Sequence, residues 1–335
     1  MTLFSSVRRV APAAIGAIAA LTWVMLAPAV LPSARAQEVY PNRAIKLIVP
    51  FAPGGLPDTS ARIVGAGLES RLKQPVVVEN RPGSGGGNAA VALMNAPADG
   101  YQFIVSDNSF LSINPFMYKV LPYDPKEIIT VAQVATAPLF LATNPNLPVK
   151  TMQEFIDYAR AHPGKINYGS SGIGTAHHLS MEAIKAELKL DMIHVPFRGT
   201  GESVPALLGD HVDALFSAYP SLSGAVGKKL VTLIATNGAK RWPELPDVPA
   251  VAEFIPGFDF ASRIGIYARA GTPDAVVQRV AEAAIAVTEE AETKARFAAV
   301  GIEATGLGPL EFHKVLEAEI GRVAATVKAA GITPE

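Results

Sequence analysis

The sequence predicts an α/β protein of two lobes, each a doubly wound, mostly parallel sheet. Three observations carry this. Short apolar runs rich in β-branched residues alternate with amphipathic helical patterns through residues 45–106 and again through 166–217. Each series contains a strand that breaks into a glycine turn and a helix start, IKLIVPFAPGGLPDTSAR at 45–62 and INYGSSGIGTAHHLS at 166–180. A long apolar run at 129–144 joins the two series. One larger doubly wound domain fits the same pattern.

In chain order, 45–51 reads as a strand buried on both faces. Asp58, Thr59 and Ser60 supply capping chemistry for a helix whose apolar positions are Ile63, Val64, Leu68 and Leu72. Val76–Val78 is a strand, 89–95 a helix stopped by Pro97 to Gly100, and 101–106 a strand. This β-α-β-α-β succession is best closed by parallel crossovers. Residues 129–144 read as one extended strand, followed by a helix at 151–161 with Thr151 as N-cap. The second series is strand 166–169, helix 176–188, strand 192–195, helix 201–208 and strand 214–217, and it ends near 249–257. ASRIGIYARAG at 261–271 is a return strand. Thr272 and Pro273 open a helix that shares Val276, Val277, Val280, Ala284 and Val287 on one face, and helices near 291–300 and 309–330 close the chain.

The two glycine turns carry the chemistry. A helix N-terminus behind a strand offers unpaired N–H groups and the positive end of a dipole at the sheet's carboxyl edge, which suits a small anion. Ser170, Ser171 and Thr175 add hydroxyls, while Gly172 and Gly174 let the main chain approach a ligand closely. One such loop on each lobe would make a clamp.

Composition narrows the function. The chain has no cysteine, which removes disulfides, thiolate metal sites and a cysteine nucleophile. With 29 basic against 30 acidic residues and no long basic run beyond the N-terminus, nucleic acid is not an expected partner. Arg8 and Arg9, the apolar stretch from Val10 to Val30 and the small-x-small Ala34-Arg35-Ala36 form a secretory signal over residues 1–36, with the mature chain starting near Gln37. Pro12, Pro28 and Pro32 count against a retained anchor. The weakly apolar continuation after the arginine pair favours ordinary Sec export over the twin-arginine route. The periplasm is the expected compartment.

Other patterns fail their chemistry. His177 and His178 are adjacent, so on a helix they diverge by about 100° and do not chelate. GSGGGN at 83–88 matches neither the dinucleotide nor the phosphate-loop spacing. No G-x-S-x-G elbow occurs, and His194, His211 and His313 stand singly. Arg198, after a strand end, has the planar fork to take a carboxylate or to pair at the surface.

The chain resembles the Bug-type extracytoplasmic solute receptors, the binding components of tripartite tricarboxylate transporters. The resemblance is carried by PF-x-x-GG-x-x-D-x-x-AR at Pro50 to Arg62, ENRPG-x-GG at Glu79 to Gly86, and APxDGY at Ala96 to Tyr101. NP-x-x-Y-x-x-LPYDP at Asn114 to Pro125, GSSG-x-G(S/T)-x-x-HL at Gly169 to Leu179, HVP(F/Y)-x-G at His194 to Gly199 and AGTP at Ala270 to Pro273 follow in order. Each string is weak alone, but together they cover nearly the whole mature chain.

The resemblance implies a type II periplasmic-binding-protein clamshell, with residues 37–137 plus 258–335 as lobe 1 and 138–257 as lobe 2. It implies a small organic carboxylate, a di- or tricarboxylate or an aromatic acid, captured between the lobes for membrane permease subunits. One carboxyl group would be held by the two loops with bound water. The first jaw would comprise Phe51, Ala52, Gly54, Gly55, Leu56 and Asp58, with Asn108 nearby; the second would comprise Ser170, Gly172, Gly174, Thr175, His178, Arg198 and Ser217. Asp58 reads better as a cap than as a contact, because it would repel an anion. Ser217 stands where many similar receptors have Asp, which favours a plain carboxylate over an amino acid. The expected receptor is a monomer with no cofactor, metal or catalysis. The alternatives are an exported α/β hydrolase-like enzyme acting on a small carboxylate or ester, and a signalling partner of a membrane sensor.

Overall fold

The computed structural model describes residues 40–51, 53–197 and 199–334; the expected signal peptide, Ala52 and Arg198 lie outside the described residues. Strands β1 (Ile45–Val49), β2 (Val76–Asn80), β3 (Gln102–Asp107), β4 (Ile128–Ala137), β10 (Ser262–Arg269) and β11 (Glu303–Leu307) form one six-stranded sheet in the order β11-β4-β10-β3-β1-β2. Strands β5 (Leu139–Thr143), β6 (Asn167–Ser170), β7 (Ile193–Pro196), β8 (Ala214–Ala218) and β9 (Thr232–Thr236) form a five-stranded sheet in the order β7-β6-β8-β5-β9.

Both sheets are mixed, which corrects the expectation of mostly parallel ones. In the first, β1 pairs parallel with β2 and β3, but β10 runs antiparallel to β3 and β4, and β11 antiparallel to β4. In the second, β6 pairs parallel with β7 and β8, while β5 runs antiparallel to β8 and β9. The parallel part of each sheet is the β-α-β series seen in the sequence. The antiparallel part is built around the strands next to the crossings, β4, β5, β9 and β10, with β11 added at the edge, and a strand arriving from the other sheet needs no helical crossover.

The run at 129–144 is two strands, because Pro138 interrupts it: β4 ends in one sheet and β5 begins in the other. Asn237 secures this crossing against the return path. Its Oδ1 accepts the Leu139 N–H at 2.7 Å, its Nδ2 donates to the Phe260 carbonyl at 2.8 Å, and its own carbonyl accepts the Phe260 N–H.

Strand β1 is buried on both faces, as its apolar run requires. Ile45, Leu47 and Val49 pack with α1 (Leu56–Leu72) and α9 (Asp274–Glu289), while Ile48 packs on the opposite side with Phe110, Tyr267 and Phe312. Full burial of such a side chain contributes about 1.5–3 kcal/mol. Phe312, on α11 (Pro309–Ala329), lies against the backbone of β10 at Gly265, where an added Cβ would come 2.2 Å from its ring. A Gly265→Val variant is therefore expected to lose about 1–3 kcal/mol through overpacking, read as a lowered urea midpoint with an unchanged slope. Helix α11 continues past this sheet, and its far residues Val323 and Val327 join the core of the five-stranded sheet with Phe155, Tyr168 and Phe216.

Helices α2 (Gly87–Met94), α5 (Met152–Ala161), α6 (Ala176–Leu188), α7 (Thr200–Leu208) and α10 (Ala291–Ala298) stand near their expected positions, and Thr151 caps α5 by accepting the Glu154 N–H. Short helices α3 (Ser109–Ser112) and α4 (Asn114–Met117) follow β3. Helix α8 (Tyr219–Gly227) and strands β9 and β11 have no counterpart in the sequence reading.

Candidate functional site

The carboxyl edge of each sheet's parallel part carries one glycine loop. In loop 1, after β1, α1 starts at Leu56 with Gly55 as N-cap and Pro57 in the first turn, two or three residues before the expected Asp58 cap. Pro57 lacks an N–H and is suited to a helix start. Asp58 instead reaches back from the first turn: its Oδ2 accepts the Gly54 N–H at 2.8 Å, while Arg62 clamps both oxygens and Asn80 donates to Oδ1 at 2.9 Å. Burial alone would raise the Asp58 pKa, but Arg62, the Gly54 N–H and Asn80 outweigh it and hold it below the usual range. Asp58 is thus an internal strut, 2% exposed. Asn80 also donates to the Phe51 carbonyl at 3.0 Å, tying the loop to β2. Gly54 takes φ +89° and its N–H is occupied by Asp58. The N–H groups of Gly55, Leu56 and Asp58 precede the first intrahelical bond, from Thr59 to Gly55.

Loop 2 follows β6 and keeps its expected boundaries. Thr175 caps α6 by accepting the His178 N–H at 3.4 Å and donates to the Gly172 carbonyl at 2.8 Å. Ser170 is buried, and its Oγ accepts the Gly172 N–H at 3.1 Å. Gly172 and Gly174 have φ +129° and +75°, in the region open to glycine. A Cβ at Gly174 would also meet Met117 of α4 at 2.5 Å, so loop 2 lies directly on a helix that follows the other sheet's β3.

Beneath loop 2, three rings stack. His178 and His194 have centroids 4.0 Å apart, and His194 and Tyr168 are 4.9 Å apart. His178 Nδ1 accepts the Gly174 N–H at 3.2 Å, so its proton sits on Nε2, 4.0 Å from Glu182. Tyr168 donates to Glu182, which Lys185 pairs at 2.7 Å. Burial first, then the neighbouring His178, depresses His194 to about 4; burial likewise lowers His178, with Glu182 opposing.

The structure brings Ser170 and His194 together, 2.7 Å apart, which spacing in the chain does not reveal. This is no acyl-transfer pair: Ser170 is 1% exposed, and an imidazole held near 4 is a poor base at neutral pH. The pair fixes the root of loop 2.

The remaining expected residues divide. Ser217, on β8, is 0% exposed, its Oγ has no partner among the described residues, and it lies two positions beyond Leu215, which pairs with Gly169 of β6. Asn108 is not in this group, because its side chain serves an internal network: Nδ2 donates to Glu319 at 3.0 Å and Oδ1 accepts from Tyr267. Arg198 and Ala52 lie outside the described residues.

Buried polar atoms without partners mark what sequence reasoning misses. They include Ser106 Oγ, Ser171 Oγ, Ser217 Oγ, Ser203 Oγ and His177 Nδ1. Ser106 is the penultimate residue of β3, Ser171 follows β6, and His177 and Ser203 lie in the opening turns of α6 and α7. Unsatisfied buried polar atoms are costly and uncommon. These five lie at strand ends and helix starts, where a polar ligand would complete them, whereas Gln133 Oε1 in the middle of β4 and Asp259 Oδ1, also without partners among the described residues, lie elsewhere. Among the described residues no group of three or more acidic or histidine side chains is arranged to hold a metal ion.

Comparison with known proteins agrees with this geometry. The model of the tripartite tricarboxylate transporter family receptor matches residues 60–332. A UPF0065 protein of Bordetella pertussis is 32% identical over 306 residues, spanning 89% of this chain and 93% of the relative. Among solved structures, R. palustris Rpa4515 with adipate is 32% identical with TM-score 0.77, covering 88% of this chain and 100% of that one. MatC of Rhodopseudomonas palustris with bound malate is 29% identical with TM-score 0.71, covering 86% of this chain and 100% of that one. Strand-end loops with open donors and a family match over most of the length converge: this chain belongs to the tripartite tricarboxylate transporter receptors, periplasmic solute-binding proteins rather than enzymes.

Proposed function

We propose that loop 1 and loop 2 hold one carboxylate of a small organic acid between two lobes, 37–137 plus 258–335 and 138–257, that close over it before delivery to a permease. The carrying observation is the set of unpartnered hydroxyls at the sheet edges beside two helix N-termini. Backbone N–H groups of Gly55 and Leu56 and the donors of α6, with Ser171 and Ser217, are the contacts. Rpa4515 with adipate and MatC with malate, both over 25% identical to this chain, make a di- or hydroxydicarboxylate the favoured class. Micromolar affinity needs about −8 kcal/mol, within reach of several charge-assisted hydrogen bonds. We further propose that the receptor works as a monomer.

The test is thermal shift of the mature protein against mono-, di- and aromatic carboxylates, since a ligand that binds only the folded state raises stability with concentration. A Gly174→Ala variant, strained at its positive φ and pressed on Met117, is expected to weaken binding about tenfold or more while remaining folded. No shift with any acid, or an unaltered affinity in the variant, would overturn the two-loop site.

A further inference from the structure

Asp107 is the last residue of β3. The parallel register of β1 and β3 pairs Ile48 with Ile104, so Asp107 lies at the carboxyl end of β3, next to the strand that runs into loop 1. Strand alternation puts it on the face of Phe103 and Val105, which pack in the same cluster as α1. Its Oδ1 accepts both the N–H of Ser109, at 3.0 Å, and the Ser109 hydroxyl, closing a turn at the entry to α3. Its Oδ2 has no partner among the described residues, and no lysine or arginine there pairs with it. The residue is half-buried: largely enclosed, yet reached by solvent. Burial pushes its pKa up, and the two bonds from Ser109 only partly offset this.

An unpaired carboxylate beside a loop that receives an anion is a poor arrangement unless something in the ligand compensates it. Holding Ser109 needs one oxygen, and an asparagine would supply it without the charge. The second oxygen is a strong acceptor awaiting a donor.

We propose that Asp107 reads a hydrogen-bond donor, a hydroxyl or an ammonium, carried on the ligand carbon next to the carboxylate that the two loops hold. The inference rests on the two-loop reading and narrows its ligand class: an acid bearing a 2-hydroxy or 2-amino group binds more tightly than the same acid without it. Ser217 supplies no acid on the other sheet, so this selection comes from β3.

The experiment is titration calorimetry at the carbon-chain length that gives the largest thermal shift, comparing the plain, 2-hydroxy and 2-amino acids of that length. At four carbons these are succinate, malate and aspartate. A preference of about tenfold or more for the hydroxy acid assigns a hydroxyl, and for the amino acid an ammonium. Asp107→Asn keeps the acceptor for Ser109 and is expected to abolish that preference, with affinity for the plain acid unchanged or improved. If wild-type protein binds the plain acid as tightly as the others, or if Asp107→Asn weakens all three equally, the inference fails while the two-loop site stands. If no acid of any length binds, the two-loop reading has failed on its own test and this inference with it.

Discussion

Replacing Arg263 with methionine is expected to destabilise the protein by about 3–5 kcal/mol, the cost of breaking a buried ion pair from one side. Arg263, at the start of β10, is 8% exposed. Its guanidinium bonds Asp259, approaches Glu319 of α11 at 3.4 Å and donates to the Ala261 carbonyl at 3.1 Å. Glu319 in turn accepts from Ser112 at 2.6 Å and from Asn108 at 3.0 Å. The network therefore ties together a return strand, the helix that packs on both sheets, and the end of β3. Burial raises the Glu319 pKa despite the opposing pull of Arg263, first among the groups that favour the ionised form, followed by the bonds from Ser112 and Asn108 and by Arg322. Methionine fills the space but takes the nearest cation from both carboxylates, leaving Glu319 with Ser112 and Asn108 and Asp259 with Arg322 at 3.9 Å.

Two internal controls follow from the same physics. The folded-state pKa of Glu319 is raised, so protonating it relieves the folded state, and the deficit of Arg263→Met should shrink as the pH falls from about 7.5 to about 5.5. Glu319→Gln keeps an acceptor for Ser112 and removes the buried charge, so it should change stability far less than the arginine variant. Urea denaturation at both pH values checks each point. A loss below about 1 kcal/mol for Arg263→Met would mean that water already compensates these charges.

The fold is legible in the sequence wherever local pattern and tertiary structure agree. Helix α6 and its Thr175 cap stand where their spacing places them, because a hydroxyl cap and an apolar stripe are local signals. Strand β11, EATGL, escapes such reading because it is a half-exposed edge strand whose pairing with β4 is set by distant residues. The expected parallel character fails for a related reason. Direction in β10 and β5 depends on which sheet the chain arrives from, and no local residue encodes that.

The site divides the same way. Glycine turns announce themselves, so both loops are readable, but the internal partners of Asp58, the Gly54 N–H, Arg62 and Asn80, are set by the fold. Asn108 looks available from its place after a strand, yet Tyr267 and Glu319, 159 and 211 residues away in sequence, occupy it. Conversely, the sequence assigns His177 no role beside its neighbour, but it is His178 whose ring is engaged internally and His177 whose Nδ1 is unpartnered. Helical divergence between adjacent residues is visible in sequence; that both rings have buried nitrogens, one bonded and one not, is not.

Acid should loosen this protein well before its carboxylates protonate, and histidines are the cause. Burial lowers the pKa values of His177 and His194 to about 4, and that of His178 as well, from an unfolded value of 6.5. Between pH 6.5 and about 4 the unfolded chain therefore binds protons that the folded chain refuses. Stability that is complete above about 6.5 is lost as the pH falls through this window, by at most about 1.4 kcal/mol per pH unit for each histidine. Solvent access at the half-buried rings makes the real slope smaller. Urea denaturation between about pH 7.5 and about pH 4.5 should show the decline, and His194→Gln, which can still hydrogen-bond Ser170, should make it shallower. Binding should follow the same course. His178 holds loop 2 by accepting the Gly174 N–H on Nδ1, and a protonated ring cannot accept. Affinity for a carboxylate that stays ionised down to about pH 5 should then weaken in step with the stability. Affinity that stayed flat while stability fell would show that loop 2 keeps its shape without His178.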